Sequence, residues 1–169
     1  MITVTLDDRA LKVAIDGLQG RIANMRPALA AAAQVLREAA MQAFDESRSP
    51  DGKAWPRLKP ASIVSRARRH SPKGYVKNRA RTLARFADAK PLLDTGQLRN
   101  SIQVYSVTDT EAVVGTKLPH AAIHQFGGRA GRGRRVSIPA RPFLGLSEQA
   151  KSEIEDIIRR HVAGGVGGA

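Results

Sequence analysis

The chain has no cysteine among its 169 residues, which removes disulfide staples and thiolate metal sites from consideration. Aromatic residues are scarce at 4%, so Ala, Leu, Val and Ile must fill most of any core. No apolar run approaches the roughly 20 residues that a membrane-spanning helix needs, and no membrane association is expected. The opening Met1-Ile-Thr-Val-Thr-Leu-Asp-Asp8 lacks the basic start and apolar stretch of a secretory signal. A cytosolic site of synthesis is therefore expected. Acidic residues are nearly missing from one long stretch. Residues 52–90 hold twelve Lys or Arg against the single acid Asp88, and a second cluster follows at Arg129, Arg132, Arg134 and Arg135. The formal net charge is +13, so the remainder is close to neutral. Such segments attract polyanions or acidic protein faces in a salt-dependent way, or they serve only as solvated loops. Composition leaves both readings open.

The periodicities present point to an α+β domain with a small antiparallel sheet. Ile2, Val4 and Leu6 alternate with Thr3 and Thr5 as a short strand. Asp7 or Asp8 then caps a helix from about Arg9, which Gly17 and Gly20 weaken or end. Pro27 suits the first turn of a second helix running to about Glu46, with Leu29, Ala32, Ala33, Leu36, Ala40, Ala43 and Phe44 as its apolar stripe. Pro50, Gly52 and Pro56 break the pattern around Trp55, the one tryptophan, read as a plug locking this loop onto the core. A short basic helix opens at Pro60. That helix is read over 60–69, and His70–Lys90 as a long irregular stretch with a helix at 78–88, the inserted basic arm as a whole spanning about 66–90. Asp94 or Thr95 is placed to cap a helical turn before a hairpin, with strands over Ile102–Val107 and Glu111–Thr116 about a Thr108–Thr110 turn. Pro119 starts a helix over His120–Phe126, ended by Gly127-Gly128. An Arg-Gly hairpin tip leads to a strand at Val136–Ile138. Ser147 caps a last helix from Glu148 to about Val162, with Leu146, Ala150, Ile154, Ile157, Ile158 and His161 on or near its inner face. We read residues 1–163 as one domain and 164–169 as a flexible Gly-rich tail. The long N-terminal and C-terminal helices pack with the sheet.

Nothing in this order looks built for bond-making. His120 and His124 share a helical face, but Ala121 stands where a zinc-hydrolase motif needs Glu, and no third ligand is apparent. The plain reading is a hydrogen-bonded histidine in a helix packed on the sheet. The glycines of 127–133 lack the Lys-Ser/Thr ending of a phosphate-binding loop. Neither a Ser-His-Asp set nor paired carboxylates stand out by spacing. No catalysis, cofactor or metal is expected. For nucleic acid, the basic stretch carries Tyr75 and Phe86 but no base-reading module, so only non-sequence-specific contact has support.

Three blocks together resemble the phage virion morphogenesis, or tail-completion, family of Mu-like and P2-like tailed phages. The first is Phe44-x2-Ser47-x-Ser49-Pro50-Asp51-Gly52-x2-Trp55-Pro56. The second is Leu93-Asp94-Thr95-Gly96-x-Leu98-x2-Ser101-Ile102, with Val114-Gly115-Thr116 and Ile123-His124-Gln125-Phe126-Gly127-Gly128 after it. The third is Ile138-Pro139-Ala140-Arg141-Pro142-Phe143-Leu144-Gly145-Leu146-Ser147. His120 stands where many members carry an aromatic residue. The resemblance implies a non-enzymatic virion protein of the neck or proximal tail end, made in the host cytoplasm, that completes the tail and joins it to the DNA-filled head. It implies a cyclic homo-oligomer, with a hexamer the first candidate, touching neck, connector, tail-terminator or tail-tube proteins. The expected contacts are Arg66, Arg68, Arg69, Lys73, Lys77, Arg79, Arg81 and Arg85 of the arm, toward protein or the backbone of genomic DNA. Arg129, Arg132, Arg134 and Arg135 of the tip would meet a partner protein. Trp55, Asp94, Thr95, Gly96, His124, Phe126, Gly127, Arg141, Pro142 and Phe143 are expected to set the shape. The alternative is a non-sequence-specific DNA-binding protein.

Overall fold

A computed structural model describes residues 9–164. The expected strand at 2–6, the Asp7 or Asp8 cap and all of the tail beyond Gly164 lie outside the described residues. Helix α1 (Arg9–Ala23) runs through both Gly17 and Gly20. Of the two expected effects, weakening or ending the helix, the glycines do not end it, because a glycine weakens a helix by only about 1 kcal/mol and α1 packs on the C-terminal helix. Helix α2 (Arg26–Glu46) has Pro27 in its first turn and ends at Ser47, which takes a left-handed conformation. Its buried positions are Ala28, Ala32, Ala33, Val35, Ala40, Ala43 and Phe44. The alanines let neighbouring backbones approach closely. Leu29 and Leu36 of the expected stripe are only half-buried.

Helix α3 (Pro60–Arg69) and the short α4 (Arg79–Arg85) follow the Trp55 loop. Helix α3 takes in Arg66, Arg68 and Arg69 at the expected bounds of 60–69, and the irregular part of the arm begins at His70. One turn, α5 (Gln97–Asn100), starts from Gly96 in a left-handed conformation (φ 76°) with no side-chain cap. Asp94 therefore caps nothing, and Thr95 Oγ1 accepts only a long hydrogen bond from the Gln97 N–H (3.4 Å). Strands β1 (Gln103–Val107) and β2 (Ala112–Gly115) pair antiparallel, with an irregularity at Tyr105. Helix α6 (Ala121–Phe126) leads into β3 (Gly128–Ala130), which pairs antiparallel with β4 (Val136–Ile138). Helix α7 (Glu148–Ala163) is capped by Ser147, whose Oγ accepts from the Ala150 N–H at 3.1 Å. Leu146, expected on the inner face, is exposed.

The architecture is α+β, with two two-stranded antiparallel sheets in place of one. Helix α2 lies across the β1–β2 hairpin and packs along α7 on another side. Around its C-terminal half gather Ala40, Ala43, Phe44, Trp55, Leu98, Ile102, Ala121 and Phe143. Phe44 meets Trp55 edge-on (5.5 Å between ring centres) and Phe143 at 5.1 Å. Phe44, Phe143 and Ile102 are the largest fully buried side chains, each stabilising the fold by about 1.5–3 kcal/mol. Three of the few aromatics thus form the centre of the core.

Candidate interaction surface

The surface stands on a strap, Ile138–Leu144, held from two sides. On one side, Trp55 Nε1 donates to the Pro142 carbonyl (2.9 Å). The Arg141 guanidinium donates to the carbonyls of Pro56 (3.0 and 2.9 Å) and Arg57 (3.3 Å). Arg141 is 5% exposed and satisfied by carbonyls rather than by an acid. Burial depresses its pKa. On the other side, α6 grips the strap. The His124 carbonyl accepts from the Arg141 N–H at 2.7 Å. Gln125 Oε1 accepts from the N–H groups of Phe143 and Leu144 (both 3.0 Å), and its Nε2 donates to the Leu144 carbonyl at 2.7 Å. Between them, Gly127 (φ 73°) passes so close that a Cβ would sit 2.8 Å from the Ala140 nitrogen. Only glycine fits there.

The base of the arm is tied to this scaffold through Asp94. Arg66 Nε lies 3.2 Å from its carboxylate, His70 Nε2 2.8 Å, and Arg69 also pairs with it. Burial raises the Asp94 pKa, but hydrogen bonds from Arg69 and His70 and the charges of Arg66 and Arg69 outweigh it, so the net shift is downward. Arg66 Nη1 further donates to the carbonyls of Lys90 (3.1 Å) and Leu93 (3.0 Å). At the far end, Lys90 donates to the Asp45 carbonyl. Beyond this knot, α4 is capped by Asn78, which accepts from the Arg81 N–H, and it buries no residue. Of the eight arm cations singled out by sequence, Arg66 and Arg69 are therefore engaged internally. Arg68, Lys73, Lys77, Arg79, Arg81 and Arg85 are exposed and form no ion pair among the described residues. Arg85 lies over the Phe86 ring (5.6 Å).

The second projection is the β3–β4 hairpin, closed by a 3-10 turn at Arg132–Arg134. Gly131 (φ 77°), Gly133 (φ 68°) and Arg134 (φ 53°) all take left-handed conformations. Arg129, Arg132, Arg134 and Arg135 are exposed. Between the hairpin and α3 runs a cleft of about 450 Å³ bordered by Arg66, Asp94, His120, His124, Ile138 and Arg141. The His120 and His124 rings stand edge to face at 6.0 Å. His124 Nδ1 is buried with no hydrogen-bond partner, contrary to the expected hydrogen-bonded histidine. Burial lowers its pKa, and the charges of His120 and Arg141 lower it further. No group of three or more His, Cys, Asp or Glu able to hold a metal occurs among the described residues.

Trp55 belongs to the first sequence block and Arg141, Pro142 and Phe143 to the third, and the structure brings the two blocks together at the strap. Sequence reasoning missed Gln125, whose side chain supplies the grip, and the role of Asp94 as the arm's anchor. Phe126, expected among the shape-setting residues, is 78% exposed and packs in no core. Its helix turns the 125 side chain inward and the next one out.

These features define a small scaffold that presents charged projections. The phage virion morphogenesis family matches residues 6–163. The chain belongs to that family. It is 30% identical over 164 residues to a protein of Escherichia phage Mu provisionally described as capsid assembly protein G, covering 96% of this chain and 94% of that one. It is 59% identical over 68 residues to the Mu-like prophage FluMu G protein 2 of Haemophilus influenzae. That match spans 40% of this chain and about half (49%) of the Haemophilus protein. No solved structure matches the chain.

Proposed function

We propose that this virion morphogenesis protein is a neck or tail-completion component, a ring of identical subunits that finishes the tail and joins it to the filled head. The observation that carries this reading is the contrast between a locked scaffold and two unlocked cationic projections. The strap and the Asp94 knot fix where the arm and hairpin emerge, while α4 and the Arg129–Arg135 tip keep their charges for something outside the subunit. A ring needs different, complementary faces on one subunit, and projections of this kind reach neighbours. The acting surface is the arm cations Arg68, Lys73, Lys77, Arg79, Arg81 and Arg85 with the four tip arginines. The protein then belongs in the virion at the head–tail junction, against connector or tail-terminator neighbours, and works without enzymatic activity.

A second reading, non-specific DNA binding, draws on the same exposed cations, since phosphate contacts need only charge and reach. Excising residues 72–87 while keeping the Asp94 knot separates the two. Phage complemented with the excised chain should accumulate full heads and free tails, whereas under the DNA reading heads and tails should still join. Normal tail joining by that variant, with no density for the protein at the junction in a virion reconstruction, would overturn the assembly reading.

A further inference from the structure

The molecule carries a surface opposite in sign to its arm, built from different elements. A groove of about 370 Å³ lies between α2 and α7, with Val35, Ala39 and Ala150 among its apolar lining. Glu38 and Glu46 of α2 and Glu153 of α7 rim it. Glu38 and Glu46 are two helical turns apart with Gln42 between them, forming one stripe. Gln42 Nε2 donates to Glu46 at 2.6 Å. All three acids are exposed, and none forms an ion pair among the described residues. Asp45, also at the groove, is engaged by Arg99 (2.7 Å). Among the described residues, no Lys or Arg lines it.

Helix α4 has the complementary form. Arg81 and Arg85 sit one turn apart on its face opposite Leu83. The helix packs within the subunit against α3 and buries nothing. Arginine stems suit an apolar floor while their guanidinium groups reach carboxylates on the rim. We infer that the Arg81–Arg85 face of one subunit docks in the Glu38–Glu46–Glu153 groove of a second copy, making a head-to-tail contact. This rests on the ring reading and names the faces that mate. Opposite charges set partner choice and register at such a contact, and salt weakens it.

The test is sedimentation velocity of the full chain at low and high salt, using two charge-reversal variants. One carries Glu38→Lys, Glu46→Lys and Glu153→Lys; the other carries Arg81→Glu and Arg85→Glu. Wild type should associate at low salt and less at high salt, and each variant alone should associate roughly tenfold more weakly or worse. Mixing the two variants, or combining all five changes in one chain, should restore association, which a misfolded variant cannot do. If wild type associates and the groove variant associates equally well, the proposed contact is wrong and the ring reading survives. If wild type stays monomeric throughout, both fail. If the arm variant loses duplex-DNA retention but not self-association, the arm faces nucleic acid and the contact is overturned.

Discussion

Gln125 commits three hydrogen bonds to the strap that carries Arg141, Pro142 and Phe143. Gln125→Ala leaves the Phe143 and Leu144 N–H groups without their acceptor in a half-buried site. A loss of about 2–4 kcal/mol is expected, at about 1–3 kcal/mol per unsatisfied group, read as a lower urea midpoint. A variant as stable as wild type would mean that the strap holds itself. His124 gives a pH signature. Its folded pKa lies below the ordinary 6.5, so the unfolded chain binds the proton more readily. The stability this group contributes is complete above the unfolded pKa and is lost as pH falls through the folded value. Asp94, also depressed from its ordinary 3.8, adds a second loss at more acid pH by the same sign. Urea midpoints should therefore decline in two stages on acidification, and His124→Leu should remove the first stage alone. An unchanged first stage would assign it to another group.

Helix α4 buries no residue, whereas α2 buries seven, and stability should follow that difference. Excising residues 72–87, none of which is buried, is expected to change unfolding free energy by only about 1 kcal/mol, the scale of shortening a loop. Disrupting the Asp94 knot with Arg66→Gln should cost more, about 1–3 kcal/mol, because it strands the part-buried Leu93 carbonyl and part of the Asp94 charge. Chemical denaturation checks both, and a large loss from the excision would show that the arm packs more than its burial indicates. The same contrast explains which elements were legible in the sequence. Helix α2 was readable from Pro27 and its alanine-rich stripe, α7 from Ser147 and its isoleucines, and the β1–β2 hairpin from alternation about Thr108–Thr110. Those signals are local. Asp94 was misread as a cap because its partners Arg66, Arg69 and His70 come from a helix about 25 residues earlier in the chain. Gln125 was passed over because its bonds go to backbone groups 18 and 19 residues away, which no local pattern encodes. The motif around Arg141 could be recognised, but its carbonyl partners at Pro56 and Arg57 could not.

At the scale of the whole molecule, the +13 charge is not one uniform field but two kinds of cation. Arg66, Arg69 and Arg141 are bound to carbonyls or to Asp94 and act as structural ties. Lys73, Lys77, Arg79, Arg81 and Arg85 are exposed and free to meet an external anion. Salt dependence separates the two kinds. Each phosphate contact contributes about 0.9 to the slope of log affinity against log salt on duplex DNA. Replacing those five arm cations with Gln should then lower the slope measured for short duplex DNA by up to about 4–5. Arg66→Gln should leave the slope unchanged while lowering stability, because that guanidinium is already turned inward. An Arg66→Gln slope reduced by about 0.9 would place that residue on the outer surface and undo the division. Such polyanion affinity belongs to exposed charge in general, so it does not by itself make DNA the biological partner. The acidic stripe on α2 competes for the same arginines, and only the charge-reversal pair tells which anion the folded subunit presents to its neighbour.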